Sequence, residues 1–254
     1  MRVALTRSIP PSIVRCELTH LERVEIDVAR ATAQHHRYED TLRALGCTVE
    51  RLADTPDLPD SLFVEDVAVA LDEVAVITRP GAGPRRGETA SMAEALARYR
   101  PLRTLVAPAT LDGGDVLRIG KTICIGLSSR TNEEGVQQFA EAVAPFGYRV
   151  HAVPVRGCLH LKSAVTALED AVVICNPRWV DGEAFGGLRV LEVPASEPFA
   201  ANVLAIDHTL VCSAEYPRTA DDLAARGYDV HRIDVSELAK AEAGVTCCSV
   251  ILNV

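Results

Sequence analysis

The sequence predicts an α/β fold, a closed radial array of five strand-strand-helix-strand units, and three observations carry that prediction. A two-strand hairpin pattern recurs four times along the chain. Helix-like stretches, each followed by another short strand, separate the hairpins with a period of roughly 40 to 50 residues, as radial arrays do. The two chain ends carry apolar strands able to pair into a fifth unit.

The hairpins are read at Val67–Leu71 with Val74–Ile77, Val116–Ile119 with Thr122–Ile125, Ala164–Leu168 with Ala171–Cys175, and Val203–Ile206 with Thr209–Cys212. Two polar or turn-forming residues join each pair: Asp72-Glu73, Gly120-Lys121, Glu169-Asp170 and Asp207-His208. A helix is expected from Asn132, a capping residue, to Phe146, with Gly147 ending it, and another from Thr219 to Arg226 before Gly227. Strands at Tyr148–Val153 and Val230–Ile233 follow them. The fifth unit takes Val250–Leu252, Val3–Leu5 and the amphipathic helix from about Ile26 to Leu45, which closes the array and removes its last exposed edge. On this reading residues 1–254 form a single domain; the competing reading is an open mixed sheet.

Composition narrows the class. The chain has 254 residues, 48% hydrophobic and 24% charged, which fits a soluble globular protein. A net charge of −9 argues against nucleic-acid and anionic-membrane partners, which need Lys and Arg in excess on one face. There is no signal-peptide pattern and no apolar run approaching the roughly 18 residues of a bilayer span, so a cytoplasmic location is expected. Cys124, Cys175 and Cys212 sit inside apolar strand-like runs, and no CxxC pair occurs, so neither a disulfide framework nor structural zinc is expected.

In a radial array the residues opening each hairpin point at the central axis. Here these are Asp66, Asp115, Ser163, Asn202 and the pair Cys247-Cys248, all polar or reactive, which predicts a polar pocket there. Glu65-Asp66 precedes a buried strand and either grips a cationic ligand, best a guanidinium, or forms a structural ion pair. Asp112-Gly113-Gly114-Asp115 is either a simple turn or a site in which Asp112 orients a histidine and Asp115 faces a ligand or a backbone amide. Of the seven histidines only His160 is placed toward the axis. Cys247 or Cys248 can act as a nucleophile if a base or cation favours its thiolate, and only one of two adjacent strand residues can face the ligand. Arg85, Arg86 and Arg130 lie in loops following hairpins, as surface charges or as a clamp for a ligand carboxylate.

Taken together, Leu58–Asp66, Ile77–Gly81, Leu111–Asp115, Leu159–Ser163 and Thr246–Ser249 resemble the dimethylarginine dimethylaminohydrolases of the guanidine-modifying, or pentein, superfamily, and the resemblance runs along essentially the whole chain. It implies a five-bladed α/β propeller that releases dimethylamine or methylamine from methylated arginine and leaves citrulline; the oligomeric state, monomer or homodimer, stays open. It further implies Cys247 as nucleophile, His160 as proton donor and acceptor, and Asp112 as its orienting carboxylate, where many relatives have Glu. Asp66 and Glu65 then hold the guanidinium, Arg85 and Arg130 clamp the substrate carboxylate, and Asp60 and the Leu18 backbone receive the α-amino end. No metal or organic cofactor is required. Arginine deiminases, in the same superfamily, carry a second carboxylate two residues after the histidine where this chain has Lys162. The alternatives are a deiminase-like hydrolase of another guanidine and a non-catalytic amino-acid-binding pentein.

Overall fold

The computed structural model describes residues 1–254. In chain order it contains β1 (Arg2–Thr6), α1 (Val28–Ala44) and β2 (Cys47–Arg51); then β3 (Ala68–Ala70), β4 (Ala75–Ile77), α2 (Thr89–Leu96) and β5 (Leu102–Thr104). The third group is β6 (Val116–Ile119), β7 (Thr122–Leu127), α3 (Glu133–Val143) and β8 (Arg149–Pro154). A short helix α4 (Leu161–Ala164) opens the fourth, followed by β9 (Val165–Glu169), β10 (Val172–Cys175) and β11 (Arg189–Glu192). The fifth has β12 (Leu204–Ile206), β13 (Thr209–Ser213), α5 (Pro217–Ala225) and β14 (Asp229–Ile233), after which α6 (Ser236–Ala239) leads to β15 (Val250–Asn253).

These strands form five separate three-stranded sheets, one per blade. In each, an inner strand pairs antiparallel with the central strand, and the central strand pairs parallel with the outer one. The parallel step needs a crossover, and the helices supply it. β15 pairs with β1 in the register Val3↔Leu252 and Leu5↔Val250, so the two ends of the chain close one blade.

Local chemistry explains the elements. Asn132 caps α3, its side-chain oxygen accepting from the Gly135 amide at 2.8 Å, and Gly147 ends the following turn at φ 78. The expected Thr219 helix begins two residues earlier, at Pro217, since proline suits the first helical turn. The fourth blade departs from the repeat: only the 3-10 turn Gly182–Phe185 links β10 to β11, where Gly182, Gly186 and Gly187 leave too short a run for a helix.

The Asn132 oxygen also accepts from the Thr110 amide, at 2.9 Å, and so ties α3 to the loop before β6. Asn132→Ala is therefore expected to lower unfolding stability by about 1 to 2 kcal/mol, measured as a lower urea midpoint at unchanged slope.

The apolar core is divided into five clusters that lie between neighbouring blades. One packs Val3, Leu5 and Leu252 on Val67 and Ile77; the next joins Val74 and Val76 to Ile123 and Phe139. The others join blades three and four, four and five, and five and one. Because burial is achieved between blades, the axis itself is free to hold polar groups. All eight cysteines are unpaired thiols. No helix is long and apolar enough to cross a membrane.

Candidate active site

The turn leading into each inner strand delivers one segment to the axis. Asp66 sits in the 3-10 helix Val64–Val67 before β3, and Asp112 occupies the position just ahead of the 3-10 turn Gly113–Asp115 before β6. His160 occupies the N-cap position of α4, and Cys247 stands three residues before β15. Six of the residues expected from the sequence line one cavity: Asp60, Asp66, Arg85, Arg130, His160 and Cys247. Asp112 stands behind His160, fully buried.

His160 Nε2 is 3.1 Å from Asp112 Oδ2, and Nδ1 is 3.7 Å from Asp66 Oδ1. With Nε2–H donated to Asp112, Nδ1 is the ring nitrogen left for chemistry. Burial alone would depress the imidazole, but the charge of Asp66, the hydrogen bond to Asp112 and the charge of Asp115 raise it to about 9. Around neutral pH His160 is thus an imidazolium. Gly114 allows this approach: a Cβ there would lie 2.5 Å from His160 Nδ1 and 2.7 Å from Asp66 Oδ1, so any side chain would push the pair apart.

Cys247 is half-buried, and its sulfur accepts from the Gly244 amide at 3.4 Å. Burial first, then the charges of Glu65 and Asp66, hold its thiol well above the usual thiol range. Cys248 is 1% exposed and packs in the apolar cluster between blades five and one; the two thiols face different surroundings, though in a turn ahead of β15 and not on a strand as the sequence predicts.

Asp66 is the junction of the site. Its Oδ2 pairs with Arg85 Nη1 at 2.5 Å and its Oδ1 accepts from the Gly114 amide at 3.1 Å. Burial works against its charge, but His160 and Arg85 hold its carboxyl below the usual range. Arg85 is heavily engaged: Nε and Nη2 donate to Glu88, and Nη2 also reaches the Asp60 and Phe63 carbonyls. One N–H of Nη1 has no partner, so Arg85 has a single donor left for a ligand. Arg130 is freer, with Nη2 on Thr19 Oγ1 at 3.0 Å. The Asp60 carboxylate accepts from the Glu17 amide at 3.2 Å.

One expected residue, Glu65, lies outside this cavity, and of Leu18 only the backbone is expected to face a ligand. Glu65 pairs with Lys162 Nζ at 2.5 Å and accepts from Thr246 Oγ1 at 2.8 Å, lining a separate cavity at the inner strands; its amide donates to the Cys247 carbonyl. Leu18 packs, half-buried, against the cluster between blades five and one. Sequence reasoning missed Glu88 and Glu242. Glu88 is 1% exposed and neutralises Arg85, but it lies in the Gly- and Arg-rich stretch Gly83–Glu88, which reads as a solvated loop. Glu242 lines the cavity, accepts from the backbone amides of Thr19, His20 and Leu21, and adopts φ 57. A left-handed glutamate leaves no mark in a single sequence.

Asp66, Asp112 and His160 bring donor atoms within 4.8 Å of one another, a spacing that suits a metal ion. Each is already committed, however: Asp66 to Arg85, and His160 to Asp112.

The geometry matches that of known proteins. A family model described as N,N dimethylarginine dimethylhydrolase, eukaryotic, matches residues 18–178. The N(G),N(G)-dimethylarginine dimethylaminohydrolase of Streptomyces coelicolor is 44% identical over 251 residues, 98% of this chain and 96% of that one. The chain belongs to the dimethylarginine dimethylaminohydrolase family. The structure of the Pseudomonas aeruginosa family member, a cysteine-to-serine variant complexed with citrulline, superposes with a TM-score of 0.94 at 33% identity, covering 98% of both chains. A family member in which histidine is replaced by glycine, as an adduct with S-methyl-L-thiocitrulline, gives a TM-score of 0.93 at 32% identity over 99% of this chain and 100% of that one. The dimethylarginine dimethylaminohydrolase fold is thus the five-bladed pentein propeller expected from the repeat.

Proposed function

We propose that this chain hydrolyses Nω-methylated arginines, asymmetric dimethylarginine and monomethylarginine, to citrulline and the corresponding amine. The observation that carries this reading is the shared cavity: a thiol, an imidazolium held by Asp112, and the buried carboxylate of Asp66 converge on one space. Nucleophile, proton donor and cation anchor are what displacement of an amine from a guanidinium carbon requires.

Asp66 draws the substrate guanidinium in, and the substrate's positive charge beside the sulfur favours the Cys247 thiolate that the empty site disfavours. The thiolate adds to the guanidinium carbon, and His160 Nδ1–H protonates the methylated nitrogen, whose bond to carbon breaks. An S-alkyl thiouronium and a neutral His160 remain. His160 then takes a proton from water as the water oxygen adds to the same carbon; the thiolate leaves, and the new hydroxyl gives up its proton to solvent, giving citrulline. Arg130, with the remaining Arg85 donor, meets the substrate carboxylate, and Asp60 with the Leu18 carbonyl meets the α-ammonium.

Lys162 supports methylated substrates over arginine. Where a second carboxylate would grip an unsubstituted terminal nitrogen, this chain has an ammonium committed to Glu65. Citrulline release from dimethylarginine, monomethylarginine and arginine tests the reading. The methylated substrates are expected to exceed arginine by at least about tenfold in kcat/KM. Preference for arginine would make the chain a deiminase, and no turnover of any guanidine would sink the proposal.

A further inference from the structure

Asp115 has no part in the chemistry above, yet it is 0% exposed beside the proton donor. Its Oδ1 accepts from the Leu161 amide at 2.8 Å, immediately after His160 in sequence. Its Oδ2 accepts from two hydroxyls, Ser128 Oγ and Thr131 Oγ1, each at 2.6 Å. Both hydroxyls pass the connection on. Thr131 Oγ1 accepts from the Asp112 amide at 3.2 Å, and Ser128 Oγ accepts from the Arg130 amide at 3.0 Å. One carboxylate therefore ties together three segments that are distant in sequence: the turn bearing Asp112, the first turn of α4 bearing His160, and the loop after β7 bearing Arg130.

We propose that Asp115 is a positioning residue for the proton-transfer step, holding His160 against Asp112 through the Leu161 amide and the Thr131 hydroxyl. The inference rests on the hydrolase reading for its kinetic consequences, while the geometry it describes stands apart from the substrate. A carboxylate accepting three hydrogen bonds fixes its neighbours more tightly than a neutral group, because charge-assisted bonds are shorter and stronger. A loss of alignment near 1 Å in such a pair costs on the order of 10²-fold in rate.

Asp115 also contributes charge. The titratable or charged groups around His160 are Asp66 before β3, Asp112 and Asp115 before β6, Cys158 on its own loop, Cys247 before β15, Arg85 and Arg130 after β4 and β7, and, across the cavity, Glu17, Asp60 and Glu242. Asp66 and Asp112 touch the imidazole, whereas Asp115 reaches it through the backbone, so its geometric and electrostatic contributions separate by substitution. Asp115→Asn keeps the shape and can still accept from the Leu161 amide, but removes the charge. Thr131→Val keeps the charge and cuts the link to Asp112.

The experiment follows the His160 imidazole by NMR titration in the full-length wild type and both variants, alongside kcat and KM for dimethylarginine. Asp115→Asn is expected to lower the His160 titration midpoint by about one unit, the effect of losing one nearby charge. Thr131→Val is expected to leave that midpoint within a few tenths of a unit while kcat falls on the order of tenfold or more and KM changes less than about threefold. Wild-type kcat in Thr131→Val together with an unmoved midpoint in Asp115→Asn would overturn the proposal and leave Asp115 a structural residue. If the wild type turns over no guanidine, the hydrolase reading fails, and the midpoint shift in Asp115→Asn alone decides whether Asp115 acts on His160.

Discussion

Cys247→Ser is expected to reduce citrulline formation by on the order of 10⁴-fold or more, while Cys248→Ser keeps turnover within about threefold of wild type. The difference follows from where each side chain lies. Cys247 lines the cavity with His160 and Asp66, whereas Cys248 is packed in the cluster between blades five and one with Tyr38 and Val245. A serine hydroxyl at 247 is far harder to ionise than a thiol, and His160, already protonated at neutral pH, cannot take its proton. At 248 the change buries a hydroxyl among apolar groups and costs stability of about 1 to 3 kcal/mol, read as a lower Tm with little change in rate. Mass spectrometry of quenched turnover checks the first half directly: an adduct on Cys247 in the wild type, absent in Cys247→Ser. Equal loss of activity in both variants would mean that the second thiol takes part in the chemistry.

Much of this site is legible in the sequence because the fold repeats. Once the hairpins at Val67, Val116, Ala164 and Val203 are aligned, Asp66, Asp115 and the approach of His160 fall at equivalent places, and the pairing of Val3–Leu5 with Val250–Leu252 brings Cys247 to the same axis. The structure bears out that closure and the cap at Asn132. What the repeat cannot reveal is pairing between side chains. Arg85 reads as a free loop arginine, but Glu88, three residues on, and Asp66, on another segment, together occupy most of its donors. Glu65 stands beside Asp66 in sequence, yet turns to Lys162 and Thr246 because a 3-10 turn sends neighbouring side chains in different directions. The missing helix of the fourth blade has a local cause, the glycines at 182, 186 and 187, and a strict repeat hides it.

Asp66→Asn tests the electrostatic heart of the site and should have the second largest effect, a fall in kcat/KM on the order of 10²- to 10³-fold. Removing the charge deprives the substrate guanidinium of its buried anion, a loss of about 2 to 5 kcal/mol in comparable buried charge pairs, part of which appears as poorer binding. The same charge is the largest influence raising His160, which stands at about 9. Without it the imidazole titrates at lower pH. His160 must carry its proton to release the amine, so activity falls once pH exceeds its pKa, and the alkaline limb of the kcat/KM profile, which reports the free enzyme, moves from near 9 toward neutrality. The opposite movement is excluded by the sign of the interaction, because a neutral amide cannot stabilise an imidazolium as a carboxylate does. The Asn oxygen still accepts from Arg85 Nη1, and Glu88 still neutralises that guanidinium, so the variant remains folded enough for the profile to be recorded. Full kcat/KM with an unmoved alkaline limb would require the cation to be held elsewhere, and Glu65, the other acidic group beside Cys247, would be the group to substitute next.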